Sequence, residues 1–161
     1  VKSEPKFEGP FSKLKDVLET DKVDDEFYIS SDELKKWKYM KGSKKEERTT
    51  KDGYVYNYSE GSMTFPDDYE KPSRTIITGE GGASPSRFKH VIKSPENQKK
   101  YRRLTPLELE RLNMFPDNHT LHENTTNSKR AFLMGNALVI GVVEEIGKNL
   151  YKQHYKHEKK G

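Results

Sequence analysis

Several short runs of this chain combine residue types that handle polar or anionic ligands. Arg74-Thr-Ile-Ile-Thr78 runs directly into Gly79-Glu-Gly-Gly82. It joins a cation and two hydroxyls to residues small enough for backbone to approach a groove. Base edges are read by arginines and short polar groups, and phosphates are held by hydroxyls and backbone amides. Arg74, Thr75, Ile76, Thr78, Gly79, Gly81 and Gly82 are therefore candidates for contact with nucleic acid, although a turn joining two strands uses the same residue types. Ser84-Pro-Ser-Arg-Phe88 extends the surface, with Arg87 suited to a phosphate or a guanine, and Tyr58-Ser-Glu-Gly-Ser62 offers Ser59 and Gly61 as an earlier loop of the same kind. Gly135-Asn136-Ala137 sets permissive backbone and an amide side chain at the predicted start of a buried helix, where exposed N–H groups can meet a polar ligand. A plain helix-breaking Gly-Asn pair is the alternative there.

Composition limits the rest. The chain has 161 residues and no cysteine, which excludes disulfides, thiolate-ligated metals and a cysteine nucleophile from this chain. His119, His122 and Glu123 sit in a polar loop with no fourth ligand, so they read as surface residues and no metal site is expected. Hydrophobic residues make up 30% and charged residues 35%, with a mean hydropathy of −1.08, against roughly 45–50% apolar residues in an average globular chain. The core should be thin: either the polar segments are long surface loops, or part of the apolar surface belongs against a partner. The net charge of +4 favours an acidic partner such as a phosphate backbone; 30 Lys and Arg among 26 Asp and Glu also describe an ordinary solvated surface. There is no apolar amino-terminal run and no stretch of about 18 apolar residues, so a cytoplasmic protein without a membrane partner is expected.

Helices and strands must position these groups. Ser12 to Thr20 offers a short amphipathic helix, and Ser30-Ser-Asp-Glu33 is a capping box opening a helix with Leu34, Trp37 and Met40 on one stripe. Lys41 to Gly53 reads as a charged linker ending in an Asp52-Gly53 turn. Tyr54 to Tyr58, Arg74 to Thr78 and His90 to Ile92 are predicted strands of a small irregular sheet. Thr105-Pro-Leu-Glu108 is a complete helix start, and that helix should stop before Phe115-Pro116. Arg103, Glu108 and Arg111 are spaced for helix-face ion pairs. Lys129 to Met134 and Ala137 to about Tyr151 read as two helical pieces hinged at Gly135-Asn136, the second apolar on most sides and predicted to be the most buried element. Lys148 to Lys160 is a basic tail. The class expected is α+β.

Three blocks carry a family resemblance: Pro72-Ser-Arg-Thr-Ile-Ile-Thr-Gly-Glu-Gly-Gly82, Arg103-Leu-Thr-Pro-Leu-Glu-Leu-Glu-Arg-Leu-Asn-Met-Phe-Pro-Asp117, and Lys129-Arg-Ala-Phe-Leu-Met-Gly-Asn-Ala-Leu-Val-Ile-Gly-Val-Val143. In this order and spacing they resemble the end of a DNA cytosine-5 methyltransferase. The likeness covers about half the chain, from Pro72 to Leu150. The first block looks like the end of that family's target recognition domain, and the other two look like its last two conserved blocks.

The resemblance implies methyl transfer from S-adenosylmethionine to C5 of a cytosine flipped out of duplex DNA, with a cysteine thiolate adding to C6 and a glutamate assisting at N3. The Pro-Cys loop, the Glu-Asn-Val block and the Gly-rich cofactor turn of that chemistry do not occur in this sequence. The chain is therefore expected to lack activity alone, to need an amino-terminal catalytic domain or subunit, and to serve a bacterial restriction-modification system. By resemblance, Gly135, Asn136 and Ala137 complete the cofactor pocket, and Arg74 to Gly82 with Arg87, Ser59 and Gly61 face DNA. The implied division is 1–53 as a variable helical and loop part of the recognition region, 54–100 as the recognition β region, 101–153 as end blocks docking on the catalytic domain, and 154–161 as the tail. Leu107 stands where arginine is usual and Met114 where glycine is usual; Leu138-Val139 also departs from the family's pattern. A stand-alone sequence-specific DNA-binding module and a protein-interaction fragment are the competing classes.

Overall fold

The elements are short, and most begin where the sequence supplies a cap or a turn. The computed structural model describes residues 11–155. Leu14–Val17 and Asp25–Phe27 are 3₁₀ turns, followed by β1 (Tyr28–Ile29) and α1 (Ser31–Lys41). Next come β2 (Lys44–Thr49), β3 (Val55–Glu60), a long irregular segment, β4 (Ile92–Lys93) and β5 (Tyr101–Arg102). Helices α2 (Pro106–Leu112), α3 (Asn127–Asn136) and α4 (Ile140–Tyr155) complete the order. β5 lies between β1 and β4 in an antiparallel sheet, with Arg102 opposite Tyr28 on one side and Ile92 on the other. β2 and β3 form a separate two-stranded sheet. The fold is α+β, as the sequence implies.

The caps form as predicted. Ser30 Oγ accepts from Glu33 N at 3.3 Å to open α1. Thr105 Oγ1 accepts from Glu108 N at 3.2 Å while Glu108 Oε2 accepts from Thr105 N at 2.9 Å, with Pro106 in the first turn of α2. That helix ends at Asn113, and Met114 then adopts φ 62. Left-handed backbone of this kind favours glycine, which gives a physical reason why the resembling family carries glycine at this position.

Glu108 serves a second purpose. Its carboxylate takes a bidentate bond from Arg102, at 2.6 and 2.8 Å, with both side chains fully buried, and also accepts Glu19 N at 2.9 Å. The predicted helix-face pairs among Arg103, Glu108 and Arg111 do not form. Arg102 is the residue that turns toward α2, whereas Arg103 donates to the carbonyls of Gly81 at 3.1 Å and Glu26 at 2.6 Å. Successive side chains at a strand point to opposite faces, so the neighbour and not Arg103 reaches the helix. Arg111 pairs with Asp117 at 2.6 Å.

The core is thin. Leu14, Leu18, Ile92, Leu104, Leu109 and Met134 make its main cluster, with Ile76, Leu112 and Phe115 packed on its margin. Trp37 is fully buried under α1, a packing anchor as its stripe predicts. Other expectations are corrected. Lys44–Thr49 is a strand and not a linker; both faces of this hairpin are largely solvated, so no apolar alternation marks it. Arg74 to Ile77 joins no ladder and Thr78 begins a turn, where the Ile77-Thr78 backbone lies against Gly135 of α3. Gly135-Asn136 is the carboxyl end of α3, and the chain turns at 137–139 instead.

The largest correction concerns α4, predicted to be the most buried element. Leu138, Val142, Ile146 and Leu150 on and before it are 72, 57, 55 and 52% exposed. An apolar groove beside it is lined by Met114, Gly141, Val142, Ile146 and Leu150. No helix among the described residues is long and apolar enough to cross a membrane. The helical part of the predicted basic tail reaches Tyr155, and the rest lies outside the described residues.

Breaking a buried ion pair by removing one partner leaves an uncompensated buried charge and costs about 3–5 kcal/mol. Glu108→Gln and Arg102→Met should each destabilise the chain by that order in urea unfolding. The double variant Arg102→Met, Glu108→Leu should recover much of the loss, a non-additivity that two independent sites would not show.

Candidate functional site

The segment 72–82, irregular up to Ile77 and then a turn, is fixed from both sides by the chain itself. On one side, Asp67 Oδ1 accepts Arg74 Nε at 2.7 Å, and Asp67 Oδ2 accepts Val91 N at 2.8 Å. The remaining Arg74 nitrogens donate to the carbonyls of Phe88 at 2.8 Å and Lys89 at 3.2 Å. Burial pushes the Asp67 carboxyl up, but the bonds from Arg74 and Val91 N outweigh it and hold the pKa below its ordinary value of 3.8. Arg74 is thus a clamp that aligns the segment, with Thr75 exposed beside it and Ile76 half-buried.

On the other side sits α3. A Cβ on Gly135 would lie 2.4 Å from Thr78 Cα, and one on Gly81 would lie 2.7 Å from Ser128 Cα. Both glycines are set by backbone meeting backbone. Gly79 and Gly82 close a turn by Gly82 N donating to Gly79 O at 3.1 Å. Thr78 and Gly79 are exposed at this turn, and Lys89 Nζ secures it on Gly82 O at 2.8 Å and Ser84 O at 2.7 Å.

A relay absent from the sequence reading runs underneath. Glu80, buried, accepts His90 N at 3.0 Å and contacts His90 Nδ1 at 2.8 Å, while His90 Nε2 meets Ser73 Oγ at 3.1 Å. Nothing in the local spacing of residues 73, 80 and 90 signals this, because folding of the irregular segment brings them together.

These contacts create a cavity of about 340 Å³ between the segment and the carboxyl ends of α2 and α3. Its walls include Arg74, Thr75, Ile76, Gly135, Ala137 and Val139. Two runs selected separately, for nucleic acid and for a polar ligand, therefore share one cavity. The electrostatic expectation at Gly135-Asn136 is reversed. This is the end of a helix and not the start, so carbonyl oxygens and partial negative charge are presented there in place of N–H groups. Asn136 is exposed and donates from Nδ2 to Phe132 O at 2.9 Å.

Arg87, Ser59 and Gly61 gather elsewhere, at the base of the β2–β3 hairpin. Arg87 donates to Glu60 at 3.2 Å, to Gly42 O at 3.3 Å and to Gly61 O. Lys41, buried beneath, donates to Lys89 O at 2.6 Å, and burial lowers its amine to about 8. The Asp52-Gly53 turn with Gly53 at φ 83 was the available signal for β2, since a hairpin turn before one strand requires a partner strand behind it. His119 stacks at 4.8 Å on Phe115, and among the described residues no group of three or more His, Asp or Glu side chains is placed to hold a metal ion.

Comparison with known proteins matches residues 2–152 to a family model described as C-5 cytosine-specific DNA methylase. The Type II methyltransferase M.Sau3AI of Staphylococcus aureus is 43% identical over 148 residues, covering 92% of this chain and 34% of that relative. The chain thus spans about a third of the length of the relative. No solved structure matches.

Two outcomes test this geometry. Gly135→Ala must displace backbone and should cost about 1–3 kcal/mol, as overpacking does; thermal unfolding measures it. A carboxyl whose pKa is depressed in the fold contributes stability above its unfolded pKa and loses it as pH falls through the folded value. Asp67→Asn should therefore lower stability at pH 7 by about 1–3 kcal/mol and flatten the loss as pH falls below the ordinary aspartate range, followed by urea unfolding at each pH.

Proposed function

The chain belongs to the C-5 cytosine-specific DNA methylase family, and on that premise we propose that it supplies the target-recognition region and the two end blocks of a DNA cytosine-5 methyltransferase. Residues up to about 100 carry recognition, and 101–153 dock on an amino-terminal catalytic part. β2 and β3 pair across residue 53, which supports treating 1–53 and 54–100 as one recognition unit with a basic tail, 154–161, at the far end. The substrate is duplex DNA, in the cytoplasm of a bacterium with a restriction-modification system. With no cysteine, the chain does not form the covalent C6 adduct by itself.

The observation that carries this reading is the solvated apolar flank of α4. A polar chain that leaves Val142, Ile146 and Leu150 outside a core short of apolar residues has a surface suited to a second folded body. The matched stretch is about a third of M.Sau3AI, which leaves length for such a body in the relative. A stand-alone DNA-binding module leaves this flank without a role.

S-adenosylmethionine provides the methyl group in this family. Gly135, Asn136 and Ala137 are assigned to the carboxyl-terminal wall of its pocket. The helix-end carbonyls there suit its cationic amino end, and the exposed Asn136 amide adds a hydrogen-bonding edge. Thr75, Ile76, Thr78, Gly79, Gly81 and Gly82 form the DNA-side wall of the same region, with Arg74 holding it in place and Arg87, Ser59 and Gly61 at the hairpin base.

Mixing this chain with the part of M.Sau3AI outside the matched third, or with the amino-terminal part of its own enzyme, should restore methylation at cytosine C5 of duplex DNA. Ile146→Lys with Leu150→Lys should abolish association without unfolding this chain; unchanged association would sink the docking assignment. Asn136→Ala should reduce methylation by the mixture roughly 10-fold, the worth of about one hydrogen bond, while leaving affinity for duplex DNA unaltered.

A further inference from the structure

The β2–β3 hairpin has two unlike faces. Cross-strand partners share a face, so Lys44, Glu46 and Arg48 stand with Glu60, Tyr58 and Tyr56. This face satisfies itself. Lys44 pairs with Glu60 at 3.6 Å and Arg48 with Glu46 at 3.1 Å, the Arg48 guanidinium lies 3.6 Å from the Tyr58 ring centroid, and Tyr39 donates to Glu46 at 3.1 Å.

The opposite face carries Lys45, Glu47 and Thr49 beside Ser59, Asn57 and Val55. All six are exposed, and among the described residues no hydrogen bond or ion pair engages any of the five polar side chains. Donors and acceptors thus line one face of the ribbon with nothing among the described residues to meet them.

Resting on the methyltransferase reading above, we propose that this face enters the major groove of duplex DNA and reads base edges. A two-stranded ribbon fits that groove, which is about 12 Å wide, and these side chains match its donor and acceptor code: lysine to guanine, asparagine to adenine, glutamate to the cytosine amino group, Thr or Val against the thymine methyl. A protein-binding face would be depleted of charge and rich in aromatic or apolar residues at its centre, whereas here Val55 alone is apolar. Phosphate contacts come from neighbours. Lys51 lies at the hairpin tip, and α1, which leads into β2, exposes Lys35, Lys36 and Lys38. Within residues 44–60 four cations balance four acids, so the ribbon contributes selectivity more than bulk attraction.

The test is selection of the full 161-residue chain against a library of random duplexes, with binding measured across salt concentrations. The unaltered chain should enrich a defined site. Asn57→Ala and Lys45→Ala should each relax discrimination at particular base pairs by about 10-fold, within the range of a bidentate base contact. Asn57→Ala should leave the salt slope of non-specific binding unchanged, and Lys35→Ala with Lys36→Ala should reduce that slope while the selected site stays the same. If both hairpin variants enrich the same site as strongly as the unaltered chain, the ribbon does not read DNA, as a ribbon serving a protein partner predicts, and the methyltransferase reading stands. If the unaltered chain binds no duplex even at low salt, the recognition reading fails and the ribbon proposal fails with it.

Discussion

The buried bond between Arg102 and Glu108 joins the small sheet to α2 at the edge of a thin apolar core. Arg102 belongs to the central strand of the small sheet, Glu108 to the first turn of α2, and the Glu19 backbone enters the same cluster. Desolvating two charges is costly unless their remaining hydrogen-bonding capacity is met. Here Glu108 also caps its helix and the Arg102 terminal nitrogens reach the carbonyls of Arg103 and Glu19, so most groups that would oppose burial acquire a structural task, while Arg102 Nε stays buried without a partner among the described residues. The sheet, the amino-terminal segment and α2 are registered by this cluster, and the leucine core closes around it.

That cluster explains how so polar a chain keeps one arrangement. Its irregular middle segment repeats the device: Asp67, Arg74, Glu80 and His90 fasten loop to loop with side-chain bonds where a larger protein would use strands. The apolar residues that could have enlarged the core are carried by α4 and turned outward. A small core supplemented by ion pairs and a helix with a solvated apolar flank are two sides of one composition, and both suit the docking proposed above.

The cavity between residues 73–76 and the end of α3 shows how runs separated by about sixty residues become one surface. Its shape depends on two glycines. Gly81 lets the turn lie on Ser128, and Gly135 lets α3 lie on Thr78. The Gly-rich run that reads as a groove-facing loop is therefore first a packing device. Its exposed members, Thr75, Thr78 and Gly79, are the ones left available to a ligand.

By itself the sequence determined whatever depends on neighbours a few residues apart. The caps at Ser30 and Thr105, the end of α2 before Phe115-Pro116, the strand from Tyr54 to Tyr58, the α+β class and the family were all legible because each is encoded locally. Tertiary structure decided the rest. Lys44 to Thr49 carries no periodic pattern since neither face of its strand is buried in a core, so only pairing with β3 makes it a strand. Which arginine meets Glu108 depends on which way β5 faces, and Ser73, Glu80 and His90 meet only after the middle segment folds. An apolar helix such as α4 reads as interior from composition, yet its amino acids state only that water is unfavourable, not which body will exclude it.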